Sequence, residues 1–266
     1  MELQAQEGRL IAAAGLGRVL VATAVSVERD AVAAGLGDLP PGPDDTVLGA
    51  AGRAHPFRPG GTTAHGGDGR SLEVITVGVG PALAAASTAS ALTAAALKGA
   101  PYGLVVSAGI GGGFLPGAPV GSLVVADEIV AADLGAETED GFLPVTELGF
   151  GTVRHEPPAE LVRRAAESAG ARAGAVLTVS TVTGTAARAA TLRERHPTAL
   201  AEAMEGFGVA EAAAAQGVPV LEIRAISNPV GPRDRAAWRI GDALAALTEG
   251  FGKLAPVLES WNRHDS

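Results

Sequence analysis

Five segments of this chain set carboxylate, hydroxyl, amide or glycine groups at the ends of apolar runs, where such groups can do chemistry. Ala24-Val25-Ser26-Val27-Glu28 places a carboxylate just past an apolar run, at the start of a stretch with helical spacing. Such a Glu is either a first-turn acid favoured by the helix dipole or a base facing a crevice. Gly78-Val79-Gly80-Pro81 and Ser107-Ala108-Gly109-Ile110-Gly111 read as glycine turns after strands. Glycine there lets a ligand approach the backbone, and exposed N–H groups hold polar or anionic atoms. As a dinucleotide turn the second fails, because no long helix follows it directly.

Glu202-Ala203-Met204-Glu205-Gly206 lies in an alanine-rich stretch that reads as helix. Glu205 is then either a solvent-facing helix residue or a buried carboxylate in need of donors. A vicinal diol supplies two donors to one carboxylate. Arg224-Ala225-Ile226-Ser227-Asn228 ends the last apolar run, followed by Pro229-Val230-Gly231-Pro232-Arg233-Asp234-Arg235 and then Trp238. This is either a turn built on its Asn-Pro and Gly-Pro dipeptides or a place where Asn228 offers a donor and an acceptor to a base edge.

The elements that must position these groups follow from hydrophobic periodicity and its stop signals. Strands are expected at Val19–Val25, Leu72–Val77, Gly103–Ser107, Ser122–Ala131, Ala175–Ser180 and Val218–Ile226. Helices are expected at Val27–Ala34, Ala82–Lys98, Pro158–Ala169, Ala186–Arg195, Ala199–Gln216 and Arg235–Leu258. Gly35 to Arg70 collects Pro, Gly and Asp and reads mostly as loop, with at best a short element around Thr46–Leu48. Alternating strands and helices predict an α/β protein, a three-layer αβα sandwich around a twisted central sheet. In that architecture the ends of the strands open a crevice where ligands bind.

Composition narrows the function classes. The 266 residues are 47% hydrophobic, enough for one sizeable core. A net charge of -9 without a basic stripe argues against nucleic acid. The chain has no cysteine, which excludes a disulfide framework, a thiolate metal site and a cysteine nucleophile, and fits a cytoplasmic location. The five histidines are scattered and no pair has ligand spacing, so no metal is expected. Glu2, Glu7 and Arg9 stand where a signal peptide needs a basic start and an apolar run, and no stretch is apolar enough to span a membrane.

Taken together, the segments resemble the purine nucleoside phosphorylase and methylthioadenosine nucleosidase superfamily, from about Arg18 to Leu258 and in the same order. The resemblance implies a mixed central sheet; with no linker in the middle of the chain, one domain is expected over residues 18–266 with a flexible loop near 36–70, and residues 1–17 read as a non-catalytic extension. The resemblance also implies a nucleoside as the small-molecule partner, no cofactor and a homo-oligomer. By the same resemblance Glu28 positions the attacking water, Glu205 binds the ribose hydroxyls, and Met204 packs on the sugar face. Gly80, Ser107, Ala108, Gly109 and Ser227 lie along the substrate, and Trp238 meets the 5′ substituent or merely packs helix on sheet. Asp234 is a proton source or, the favoured reading, pairs with Arg233 or Arg235.

Two departures from the family pattern refine this. Phosphorylases carry arginines on the glycine-rich turns, whereas Gly78–Pro81 and Gly103–Gly109 contain none and Glu28 would repel an anion there. Hydrolysis is therefore expected over phosphorolysis. Adenine-specific nucleosidases have an aspartate where this chain has Asn228, and an amide there suits the N7 or O6 of hypoxanthine. The stretch Ile226–Arg235 with Trp238, and Asp133-Leu134-Gly135-Ala136-Glu137, is similar to a branch whose substrate carries an aromatic carboxylate beyond the ribose 5′ end. Arg58, His55, Arg233 and Arg235 are unranked candidates for that carboxylate. The competing classes are a nucleosidase for an adenine nucleoside such as methylthioadenosine, a nucleoside-binding protein without catalysis, and a dinucleotide-dependent oxidoreductase.

Overall fold

The computed structural model describes residues 18–37, 61–65 and 71–261. Strand β1 (Arg18–Thr23) leads into helix α1 (Ser26–Gly35), and β2 (Gly61–His65) and β3 (Ser71–Thr76) follow. Next come α2 (Pro81–Leu97), β4 (Leu104–Gly113), β5 (Leu123–Ala131), β6 (Gly135–Thr138), β7 (Gly141–Pro144) and β8 (Arg154–His155). The chain continues through α3 (Ala159–Ala169), β9 (Arg172–Thr178), α4 (Ala186–Arg195), β10 (Ala199–Ala203) and α5 (Gly206–Ala214). It closes with β11 (Val220–Pro229), a 3-10 turn (Arg235–Ala237) and α6 (Ile240–Trp261).

The main sheet has the order β10-β9-β5-β11-β4-β1-β3-β2, with β8 on β5. It is mixed: β1 runs parallel to β3 and β4, and β11 runs parallel to β4 but antiparallel to β5. The far end of β4 also pairs antiparallel with β10, through Ala201↔Gly113 and Glu202↔Gly112, so this half of the sheet curls onto itself. Both faces are covered, which is why the strands read as unbroken apolar runs. In β1, Leu20 and Ala22 pack with Ala84 and Leu92 of α2 and Phe207 and Val209 of α5. Val19 and Val21 pack with Val32 of α1, Leu161 of α3, and Leu247 and Phe251 of α6. The expected α/β architecture with helices on both faces is thus present. Among the described residues no helix is long and apolar enough to cross a membrane.

Three expectations are corrected. Ala199–Gln216 is not one helix: Ala199–Ala203 is a strand, fully buried between β9 and the end of β4, and only Gly206–Ala214 is helical. Alanine's helix preference is a weak prior that tertiary pairing overrides. The glycine-rich Gly109–Gly113 is no turn either, because β4 continues through it and pairs with β11 from Arg224↔Gly109 onward. Third, the span read as loop contains β2, which pairs antiparallel with β3. The 1–17 extension, the element at Thr46–Leu48, and His55 and Arg58 lie outside the described residues.

Candidate active site

A cavity of about 310 Å³ is bordered by the end of β4, the start of α1, β10 and the end of β11. One wall is built around a guanidinium. Glu222 and Arg224 stand two apart on β11, so they point to the same face. Arg224 is fully buried, with its Nε on Glu222 Oε1 at 2.8 Å, one terminal nitrogen on Glu205 Oε2 at 3.3 Å and the other on Ser107 Oγ at 3.0 Å. Burial opposes its charge, but Glu222, Glu205 and Glu28 outweigh this and hold the guanidinium protonated. Burial pushes the Glu222 carboxyl above the usual range, against the pull of Arg224.

Glu28 reaches the same wall from α1. Its Oε2 accepts the N–H groups of Ala24 and Val25 at 3.0 and 3.3 Å, tying the helix start to its own first turn. Its Oε1 accepts the N–H of Ile110 at 2.8 Å. The two sequence readings of Glu28, helix-start acid and cavity-lining carboxylate, therefore hold together. Burial, helped by the Glu205 charge, raises its pKa above the ordinary carboxylate value of 4.5, with the Ile110 N–H and Arg224 pulling the other way. Close approach of backbone makes this packing possible. A Cβ at Gly109 would sit 2.7 Å from Glu28 Oε1 and 2.9 Å from the Arg224 guanidinium. One at Gly206 would lie 2.1 Å from a Glu222 oxygen.

Glu205 sits at the N-terminus of α5, its carbonyl accepting the N–H of Val209 at 3.1 Å. Its carboxylate turns back into the cavity, taking the N–H of Gly80 at 3.2 Å on Oε1 and that of Met204 at 3.3 Å on Oε2. Gly80 has φ of 90°, which a side chain disfavours, and this turn aims its N–H at Glu205.

The opposite wall is polar but uncharged around Asn228. A register shift in β11 between Ile226 and Asn228 delivers Ser227 and Asn228 to the cavity. Ser227 Oγ donates to Asn228 Oδ1 at 2.8 Å, and Asn228 Nδ2 donates to the Pro229 carbonyl at 3.0 Å. One Nδ2–H is left to face a ligand. Glu202 lines the cavity from β10, its carboxylate accepting the N–H of Thr183 at 2.8 Å and the Thr183 hydroxyl. Burial raises the Glu202 pKa, while both Thr183 hydrogen bonds favour the charged form.

Of the residues singled out from sequence, Glu28, Met204, Glu205, Ser227, Asn228 and Trp238 line the cavity. Gly80 and Gly109 stand behind it as backbone supports. Ser107 holds Arg224 from below, and Ala108 packs into the core of the other face. The favoured pairing of Asp234 with a neighbouring arginine is not formed: its carboxylate caps the 3-10 turn, accepting the Ala236 N–H at 3.0 Å. Arg233 instead lies over the Trp238 ring, 5.4 Å from its centroid. Arg224, Glu222, Glu202 and Thr183 were missed as site residues. The signal for the first two was available, since charged residues at alternate positions of an apolar strand demand a buried partner. Glu202 was hidden by the helical reading of its strand.

The sequence and the fold have counterparts. Residues 31–258 match the phosphorylase superfamily. The futalosine hydrolase of Streptomyces coelicolor is 73% identical over 247 residues, covering 93% of this chain and 99% of that one. That of Acidothermus cellulolyticus is 44% identical over 240 residues, 88% of this chain and 89% of the relative. Among solved structures, the futalosine hydrolase of Helicobacter pylori superposes with a TM-score of 0.70 at 17% identity, over 91% of this chain and 97% of that one. The 5′-methylthioadenosine/S-adenosylhomocysteine nucleosidase of Neisseria meningitidis, in complex with methylthio-immucillin-A, gives 0.70 at 20% identity, over 92% and 100%.

Proposed function

This chain belongs to the phosphorylase superfamily and, within it, to the futalosine hydrolases, and from that we propose the reaction its cavity performs. It is an N-glycosyl hydrolase that cleaves futalosine with water, releasing hypoxanthine and leaving dehypoxanthine futalosine, a step in menaquinone biosynthesis. The observation that carries the reading is the charge arrangement of one wall. Three buried carboxyl groups, Glu28, Glu205 and Glu222, surround one guanidinium beside a cavity of nucleoside size.

Breaking a ribosyl C–N bond builds positive charge on the sugar, and fixed negative charge aimed there lowers the barrier. Glu205, held by Gly80 and Arg224, accepts the ribose O2 and O3 hydroxyls, and Met204 covers the sugar face. Glu28, held by three backbone N–H groups, orients water and takes its proton as the C–O bond forms. The free Nδ2–H of Asn228 stabilises charge on the departing base. Trp238 gives the aromatic 5′ substituent of the substrate a ring to stack on.

Water is preferred over phosphate on electrostatic grounds. A guanidinium does lie beside Gly109, but Glu222 and Glu205 already engage it, and Glu28 repels an anion there. The enzyme acts in the cytoplasm as a homo-oligomer in which a neighbouring subunit completes the 5′ end of the cavity. The test is base release from futalosine, inosine, adenosine, methylthioadenosine and aminofutalosine, with and without phosphate. Phosphate-independent hypoxanthine release from futalosine, with little from inosine, is expected. Adenine release would move the assignment to the nucleosidases for adenine substrates, and phosphate dependence would overturn hydrolysis.

A further inference from the structure

The substrate proposed above carries a carboxylate on its aromatic 5′ substituent, and the inside of the cavity offers that anion no cation. The titratable groups that line it are Glu28, Glu202 and Glu205, all carboxyl groups. Arg224, behind the wall, is fully buried and already engaged by Glu222, Glu205 and Ser107. Val25, Val79 and Trp238 line the cavity yet stay partly exposed, Val79 at 54%, so they mark its open side and make it apolar. A carboxylate brought against this opening loses hydration and needs a partner at the rim.

Arg233 stands there. Its guanidinium lies 5.4 Å from the centroid of the Trp238 ring, within the range of cation–π attraction, and borders the ring without capping it. Its backbone N–H donates to the Gly184 carbonyl at 3.2 Å, which ties it to the loop that carries Val182 and Thr183 along the cavity. Among the described residues no carboxylate pairs with it: the neighbouring Asp234 is turned into its own 3-10 turn, accepting the Ala236 N–H. Arg239, one residue past Trp238, is held by Asp242 at 2.9 Å. A guanidinium presents its N–H donors in one plane, as a fork that fits a carboxylate, and contact with an aromatic ring leaves that edge available.

We propose that Arg233 pairs with the carboxylate of the substrate's aromatic 5′ substituent and, with Trp238, selects for that group. This rests on the reading of the cavity as a futalosine-cleaving site and deepens it by naming the residue that reads the charged end of the substrate. Trp238 supplies surface for the aryl ring and holds the guanidinium beside it, and Arg233 supplies the charge. Arg233 is thus a specificity-determining residue, and a nucleoside with an uncharged 5′ substituent forgoes the pairing.

The test compares futalosine with its methyl ester, which keeps the aryl ring and removes the charge. Turnover is measured for both, and calorimetric binding for dehypoxanthine futalosine and its methyl ester. A hydrogen bond between charged groups corresponds to a factor of about 10–150, and solvent around the exposed Arg233 keeps the value near the low end. The wild type is expected to favour acid over ester by about tenfold in kcat/KM, mostly through KM, and in binding. That preference should shrink as salt is raised, since the pair lies at the surface. Arg233→Gln, with its circular dichroism unchanged, is expected to lose both the preference and its salt dependence. A mutant that keeps the preference overturns the inference, as does a wild type that treats acid and ester alike. The second comparison needs no mutant and so stands even if Arg233→Gln misfolds. Acid-selective binding that depends on Arg233, without cleavage of futalosine, would leave the pairing standing and remove the hydrolase reading. Equal cleavage of acid and ester would do the reverse.

Discussion

Replacing Arg224 by Leu removes the one cation of a buried cluster and leaves its carboxylates facing each other. Glu222 is fully buried, and its Oε2 has no hydrogen-bond partner even with Arg224 in place, so its charge depends on the 2.8 Å contact from the guanidinium. Breaking a buried pair from one side costs about 3–5 kcal/mol, because the remaining ion is left uncompensated. For a chain of this size that lowers Tm by roughly 6–20 °C. Part of the loss returns if Glu222 is neutralised as well, since the unpaired ion carries most of the penalty. Thermal and urea unfolding at one fixed protein concentration should therefore rank wild type first, Glu222→Gln/Arg224→Leu next and Arg224→Leu last. Futalosine cleavage should be lost in both mutants, because Glu205 no longer has the guanidinium that orients it. An Arg224→Leu variant within about 1 kcal/mol of wild type, or a double mutant no more stable than the single, would refute the electrostatic account of the cluster.

Four further outcomes are expected. Glu28→Gln and Glu205→Gln should each lose at least about two orders of magnitude in turnover, measured as hypoxanthine release; near-normal rates in either would remove that residue from the mechanism. Glu28 must be ionised to accept a proton and burial raises its pKa above 4.5, so kcat/KM should fall as pH drops through a value above 4.5, and that limb should vanish from the residual rate of Glu28→Gln. Asn228→Asp should shift preference toward adenine nucleosides, and an unchanged ratio of the two kcat/KM values would contradict a donor role for the amide. Gly206→Ala forces a methyl to within 2.1 Å of a Glu222 oxygen, so it should destabilise by about 1–3 kcal/mol in urea unfolding and impair cleavage.

Sequence legibility followed the strength of each local signal. The buried strands β1, β3, β5, β9 and β11 and helices α2, α3 and α4 were readable because each is a long apolar run or a periodic stretch with a clear stop. Strand β10 was not, since Ala199–Ala203 owes its extended form to pairing with β9 and β4. The β6–β7 hairpin and β8 are too short and too exposed to carry a pattern. Likewise the glycines after Ser107 looked like a turn, although they serve as the unobstructed backbone of a strand that other side chains crowd.

By itself the sequence determined the residue types, the layered α/β class and the landmarks Glu28, Met204-Glu205 and Ser227-Asn228, because these depend on local patterning and on short motifs. Tertiary structure decided which of them share a cavity. It brought Arg224 and Glu222 under Glu205 and Glu28, and set Glu202 across Gly112 from Asn228. Those juxtapositions join residues far apart in the chain, and burial and sheet register, which no local window contains, set their charges and hydrogen-bonding sense.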